Sequence, residues 1–243
     1  MKEKHSINAI VDPQLRADEI ANRKKLIDWI CDIGDRLKVA AETIHRAATY
    51  IDRIISQNNL KEEELKSIGL ICILLAGKLT ESDNEVSQIA SLFRKNIGNP
   101  RINIRMYEIQ IMNHLNWDLQ RITAIDFINF FLSQGIVFTS DYIQHSNVNE
   151  QSASFLRQYV EFFSDLCLQE YEFVSIDSLI LAGGIIAAGR KVLKFEKVWR
   201  EELEALTSVK HEQAEECAAL ILFKYEKLFP KSYMKENVNP NLG

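Results

Sequence analysis

Between Pro13 and Pro230 this chain holds one proline, Pro100, and the whole sequence has only 9 glycines. Proline breaks helix interiors, and hairpin turns draw on glycine. A stretch this poor in both is suited to long helices with short connections, and strands are required nowhere along it. At 243 residues the chain has room for one large domain or two of about 100 to 120 residues each.

Composition excludes several classes. A net charge of −5 offers no general attraction to nucleic-acid phosphates, although a local basic patch stays open. The longest apolar stretch, Ser178–Gly189, has 12 residues, against the roughly 20 that span a bilayer. A buried core helix fits it, and no membrane partner is expected. The N-terminal MKEKHSINAIVDPQ has no apolar signal core, so secretion is not expected. Cys31, Cys72, Cys167 and Cys217 form no CxxC pair and sit in apolar helical settings, which reads as core thiols in a reducing compartment. The five histidines lack ligand spacing, so no metal or other cofactor is expected. No Gly-rich phosphate loop, nucleophile elbow or HExxH is present. The acidic runs Glu62–Glu64 and Glu201-Glu202 read as solvated first turns.

Apolar periodicity predicts helices over Asp18–Lys38, Glu42–Gln57, Glu62–Leu79 and Arg105–Leu115, with an irregular segment at Val86–Lys95. The third turns uniformly apolar, so its second half should be buried on most sides. Further helices are predicted over Thr123–Gln134, Ala153–Tyr171, Ser175–Val192, Lys197–Thr207 and His211–Phe229, with Thr123 and Ser175 as candidate caps. The segment between Phe138 and Gln151 reads as a polar, flexible loop. This gives an all-α fold of two tandem five-helix domains, 18–120 and 121–230, with an arm at 1–17 and a tail at 231–243. Each half carries an apolar Leu-Ala-Gly helix, ICILLAGK and LILAGGIIAAG. The glycines inside the second are read as sites of close helix packing.

Four charges lie inside apolar helical segments: Arg23, Asp52, Lys78 and Glu108. Buried charge is costly unless paired or used, so these residues should hold helices together or grip a partner.

The segments that carry them resemble the cyclin family, in a two-box arrangement like that of the mitotic A- and B-type members, though divergent. NRKKLIDWI is similar to the family's MRAILVDWL, and YIDRIIS to YxDRFLS. Leu74 through Glu81 is similar to LLASKxEE, and Glu108 through Leu119 to ExxxLxxLxFDL. CLQEYEFVSIDSLILAGGIIAAGR and WREELEALTSVKHEQAEECAALI give a second, independent match in the other half. The order and spacing of these fragments are more specific than any one alone.

The resemblance implies two jobs for the four charges. Arg23 and Asp52 would pair internally and brace the first box. Lys78 and Glu108 would contact the regulatory helix of a cyclin-dependent protein kinase, within an apolar groove of Leu75, Leu79, Met112, Trp117 and Leu119. Lys78 also suits a helix C-terminus electrostatically, and Leu75 and Leu119 suit plain core packing. The protein would then do no chemistry itself and would act inside the cell, in nucleus or cytoplasm. Departures matter too. Asn22, Lys25 and Lys66 stand where the family's substrate-recruiting patch has apolar residues and Gln, so docking of Arg-x-Leu motifs should be weak or absent. Leu79 stands where an aromatic is common, and Thr80 where an acid is usual. No destruction-box pattern precedes the first box. These departures leave room for a second reading, a non-catalytic scaffold subunit of a larger assembly such as a cytoskeletal or ciliary one. A nucleic-acid-binding member of the fold, like transcription factor IIB, fits the acidic balance least.

Overall fold

The structure, a computed structural model, describes residues 16–56, 62–99 and 101–230. The expected arm, up to residue 15, and the tail 231–243 lie outside the described residues. The helices are α1 (Ala17–Leu37), α2 (Ala41–Ile55), α3 (Glu62–Thr80), α4 (Asp83–Ile97), α5 (Ile104–His114), α6 (Ala124–Gln134), α7 (Glu150–Gln169), α8 (Ser178–Val192), α9 (Glu201–Thr207) and α10 (His211–Leu228). Two compact units result. One runs to Thr123 and takes in Leu168–Ser175; the other comprises Ala124–Cys167 and the residues from Ile176 on.

The first unit is built around α3, which touches α1, α2, α4 and α5. Every residue from Leu70 to Ala76 is buried, as the uniformly apolar sequence predicts. The second is built around α8, packed on α6 and α10, with Ala182 through Arg190 all buried. Gly184 permits the α8–α10 crossing: a Cβ there would lie 2.6 Å from Cys217 Cβ. All four cysteines are free thiols, and burial pushes the Cys217 thiol up to about 12.

Several elements differ from expectation. Val86–Lys95 belongs to a regular helix, α4. Ser82 accepts the Asn84 N–H at its start, Asp83 and Glu85 occupy its first turn, and Gly98 stops it in the left-handed region at φ 70°. Its buried face is only Ile89 and Phe93, too narrow a stripe to read from periodicity. α8 begins at Ser178 rather than Ser175, because Asp177 caps it by accepting from the N–H groups of Leu179 and Ile180. α7 starts three residues early, at Glu150, and ends at Gln169, before a 3₁₀ turn at Tyr171–Phe173. α9 starts only at Glu201, since the carbonyls of Lys197 and Val198 are held by Arg190.

The polar loop 138–151 is also ordered. It contains a two-stranded antiparallel ribbon, β1 (Tyr142–Ile143) and β2 (Ser146–Asn147), turned by Gln144 and His145 at φ 49° and 67°. That is the geometry of a tight hairpin turn usually signalled by Asn-Gly, and Gln-His does not advertise it.

Candidate functional site

The four intrahelical charges form two pairs. Arg23 donates from Nε to Asp52 Oδ1 at 2.6 Å and from Nη2 to Oδ2 at 2.9 Å, a bidentate bridge between α1 and α2. The same guanidinium donates to the carbonyls of Leu168 and Gln169 and lies over the Tyr171 ring. Arg23 thus braces more than the two helices expected, since it also ties Leu168–Ser175 into the unit.

Lys78 ends α3 and Glu108 sits mid-α5; Lys78 Nζ donates to Glu108 Oε1 at 2.5 Å. The Lys78 side chain is 45% exposed and that of Glu108 10%. The carboxylate is therefore seated in the unit with the ammonium at its mouth. Nearby stretches of α3 and the α5 terminus carry the apolar candidates. Leu75 is buried and belongs to the core, the packing alternative held open above. Met112 and Leu119 are partly buried against that core. Leu79 is 47% exposed and Trp117 62%.

The end of α5 is held in an unusual shape. Asn116 and Trp117 are both left-handed, at φ 51° and 59°, a conformation that costs a non-glycine residue about 1–2 kcal/mol. The Trp117 N–H donates to the Met112 carbonyl at 2.8 Å, and its indole Nε1 donates to Asn113 Oδ1 at 3.0 Å. Arg53 donates to the carbonyls of Leu115 and Asp118. The Tyr50 hydroxyl donates to the Leu119 carbonyl at 2.6 Å, and burial pushes that phenol up to about 12. Tyr50 and Arg53, one turn apart on α2, clamp the turn that projects Trp117. Sequence reading passed over them, although YIDRIIS carries both beside Asp52.

The second unit has its own brace, also missed. Arg190 is fully buried, and its donors are met by Asp141 and by the carbonyls of Ile136, Lys197 and Val198. Arg200 adds a second cation on Asp141 at 3.0 Å. Burial pushes the Asp141 carboxyl up, but hydrogen bonds from Arg190, the Phe138 N–H and Arg200 outweigh it, so it titrates below the usual carboxylate range. The lone arginine of GGIIAAGR was the available signal, by the logic applied to Arg23.

At the altered patch, Lys66 Nζ lies 5.7 Å from the Trp29 ring centre, Lys25 is exposed and Asn22 half-buried. Downstream of Lys78, Thr80 bonds to Thr43, while Glu81 accepts from the Ala40 N–H at 2.9 Å and caps α2. Among the described residues no cluster of His, Cys, Asp and Glu could hold a metal ion, and no helix is long and apolar enough to cross a membrane.

Two helical units, each built on a buried apolar helix and stapled by a buried Arg–Asp pair, define a tandem all-helical fold. The chain belongs to the cyclin family: the model of the cyclin N-terminal domain matches residues 2–120, and that of the cyclin C-terminal domain residues 122–236. A cyclin-D of Ostreococcus tauri is 27% identical over 217 residues, covering 87% of this chain and 58% of the relative. Mouse G1/S-specific cyclin-D1 is 28% identical over 167 residues, covering 68% and 52%. The chain thus spans about half the length of the curated relatives it matches, and those named are D-type, a branch the motifs did not single out. A viral cyclin from herpesvirus saimiri shares the fold, with a TM-score of 0.60 at 14% identity over 84% of each chain. A chain of the yeast RNA polymerase II CTD kinase complex CTDK-1 does so at 0.57 and 13% identity, over 93% of this chain and 75% of that one.

Proposed function

We propose that this protein is a regulatory subunit that binds a cyclin-dependent protein kinase and favours its active state, with no catalysis of its own. The observation that carries this reading is the Lys78–Glu108 pair, half-open to solvent, with Leu79 and Trp117 exposed on the same two helical regions. A kinase regulatory helix would meet a cation, a seated carboxylate and apolar anchors, with Met112, Leu119 and the buried Leu75 as the floor. Helix-in-groove recognition draws most of its energy from a few such anchors. Holding that helix inward lets the kinase's own Glu pair with its ATP-binding Lys. Activation then follows from tighter binding to that conformation. The domain limits 18–120 and 121–230, and residence in nucleus or cytoplasm, belong to the same proposal. That one solved neighbour comes from a kinase complex supports it.

The test is capture of kinases from the source cell on the wild-type protein and on Lys78→Glu and Glu108→Ala. Both variants should lose about 2–5 kcal/mol of affinity while keeping helical circular dichroism. Unchanged capture by both would remove the reading. Recovery of a large assembly without any kinase would favour the scaffold role instead. A companion titration concerns Trp29. With Lys66 over its ring and Lys25 exposed one turn earlier on α1, an Arg-x-Leu peptide should show no micromolar binding, because like charges meet.

A further inference from the structure

The exposed face of α10 carries a short seam, Glu216, Leu220, Phe223 and Lys227, with steps of four, three and four residues. All four are exposed, Leu220 by 55% and Phe223 by 66%. The opposite face, Ala214, Cys217, Ala218, Ile221 and Tyr225, is buried in the second unit, so the helix is anchored and the seam is fixed outward. Four-three-four spacing is the knobs-into-holes repeat of paired helices. Neither Glu216 nor Lys227 makes an ion pair among the described residues. Three turns and about 16 Å apart along the helix, they cannot reach each other.

We propose that this face pairs with the same face of a second copy, as an antiparallel two-fold dimer. A two-fold contact is self-complementary: if one residue meets another, the reverse contact also forms. Lay two α10 helices antiparallel with the centre of the pair between Leu220 and Phe223. Each Leu220 then meets the other copy's Phe223, and each Glu216 meets the other copy's Lys227. The apolar pair is at the middle, and an opposite-charge pair closes each end. The parallel arrangement stacks Glu216 on Glu216 and Lys227 on Lys227, so the end charges select the antiparallel one. One helix seam buries less than a standard-sized interface, so the dimer is concentration-dependent rather than obligate. This surface belongs to the second unit and Lys78 to the first, and the proposal does not depend on the kinase reading.

Sedimentation velocity of the full chain, from about 1 to 200 μM, tests it. The sedimentation coefficient should rise to that of a dimer across the range. Phe223→Asp, at an exposed position, should leave a folded monomer throughout. Glu216→Lys should weaken dimerisation at least about tenfold, and Glu216→Lys with Lys227→Glu should restore it. A chain that stays monomeric, a dimer unaffected by Phe223→Asp, or a charge swap no better than its single variant would each overturn the proposal. So would a monomer that dimerises only after deletion of 231–243, since the tail would then be the occupant.

Discussion

Asp141 shows how much one side chain can hold. It faces two guanidinium groups, and with its side chain replaced by an amide Arg190 keeps its burial and loses its counter-charge. Asp141→Asn should cost about 3–5 kcal/mol of stability in urea denaturation, the range for breaking a buried pair. The pH sign follows from its lowered pKa. Asp141's contribution is fully present above the ordinary carboxylate value of about 4 and is lost as pH falls through its depressed native value. Wild type should therefore lose more urea resistance between pH 5 and acid conditions than Asp141→Asn does. Equal losses would deny Asp141 this role.

At the scale of the element, two features carry separate predictions. Gly184→Ala brings a methyl to 2.3 Å from Cys217 Sγ and 2.6 Å from its Cβ. The α8–α10 crossing must widen, at about 1–3 kcal/mol, the usual cost of overpacking; thermal unfolding would register it. Arg53→Lys keeps a cation, but an ammonium cannot fork to the Leu115 and Asp118 carbonyls as a guanidinium does. Arg53 is itself buried, so a drop in kinase capture with unchanged helix content would trace to a loosened Trp117 turn. Unaltered capture would show that the turn holds without the fork. The elements also show what was legible. α1, α2, α3 and α10 announce themselves through broad apolar faces. The narrow-faced α4 is specified by its caps, and the Tyr142–Asn147 hairpin is held by Phe195 and Glu196, about 50 residues on, which no local window contains. Lys78 and Glu108 were each legible as a charge in an apolar helix, but their contact with each other was not, and only Glu108 is buried. The Tyr50–Arg53 clamp was not legible, because its acceptors are backbone carbonyls and leave no trace in residue types.

For the whole molecule, the two staples should act independently. Asp52 is paired with Arg23 and Asp141 with Arg190 and Arg200, with no shared partner. The stability losses of Asp52→Asn and Asp141→Asn should add in the double variant to within about 0.5 kcal/mol. A shortfall would mean that the loss of one staple already dissolves the region the other secures.

The first unit also has a schedule imposed on it by its own connectivity. Arg23 leaves the ribosome early, yet one of its acceptors, the Gln169 carbonyl, lies 146 residues downstream. At about 5–20 residues per second, Arg23 spends roughly 7 to 30 s of synthesis with at most Asp52 as a native partner and part of its fork turned to water. The nascent first half can collapse around α3 in that interval. It seals around Arg23 only when Leu168–Ser175 emerges, so maturation of the N-terminal half waits on translation well into the C-terminal half.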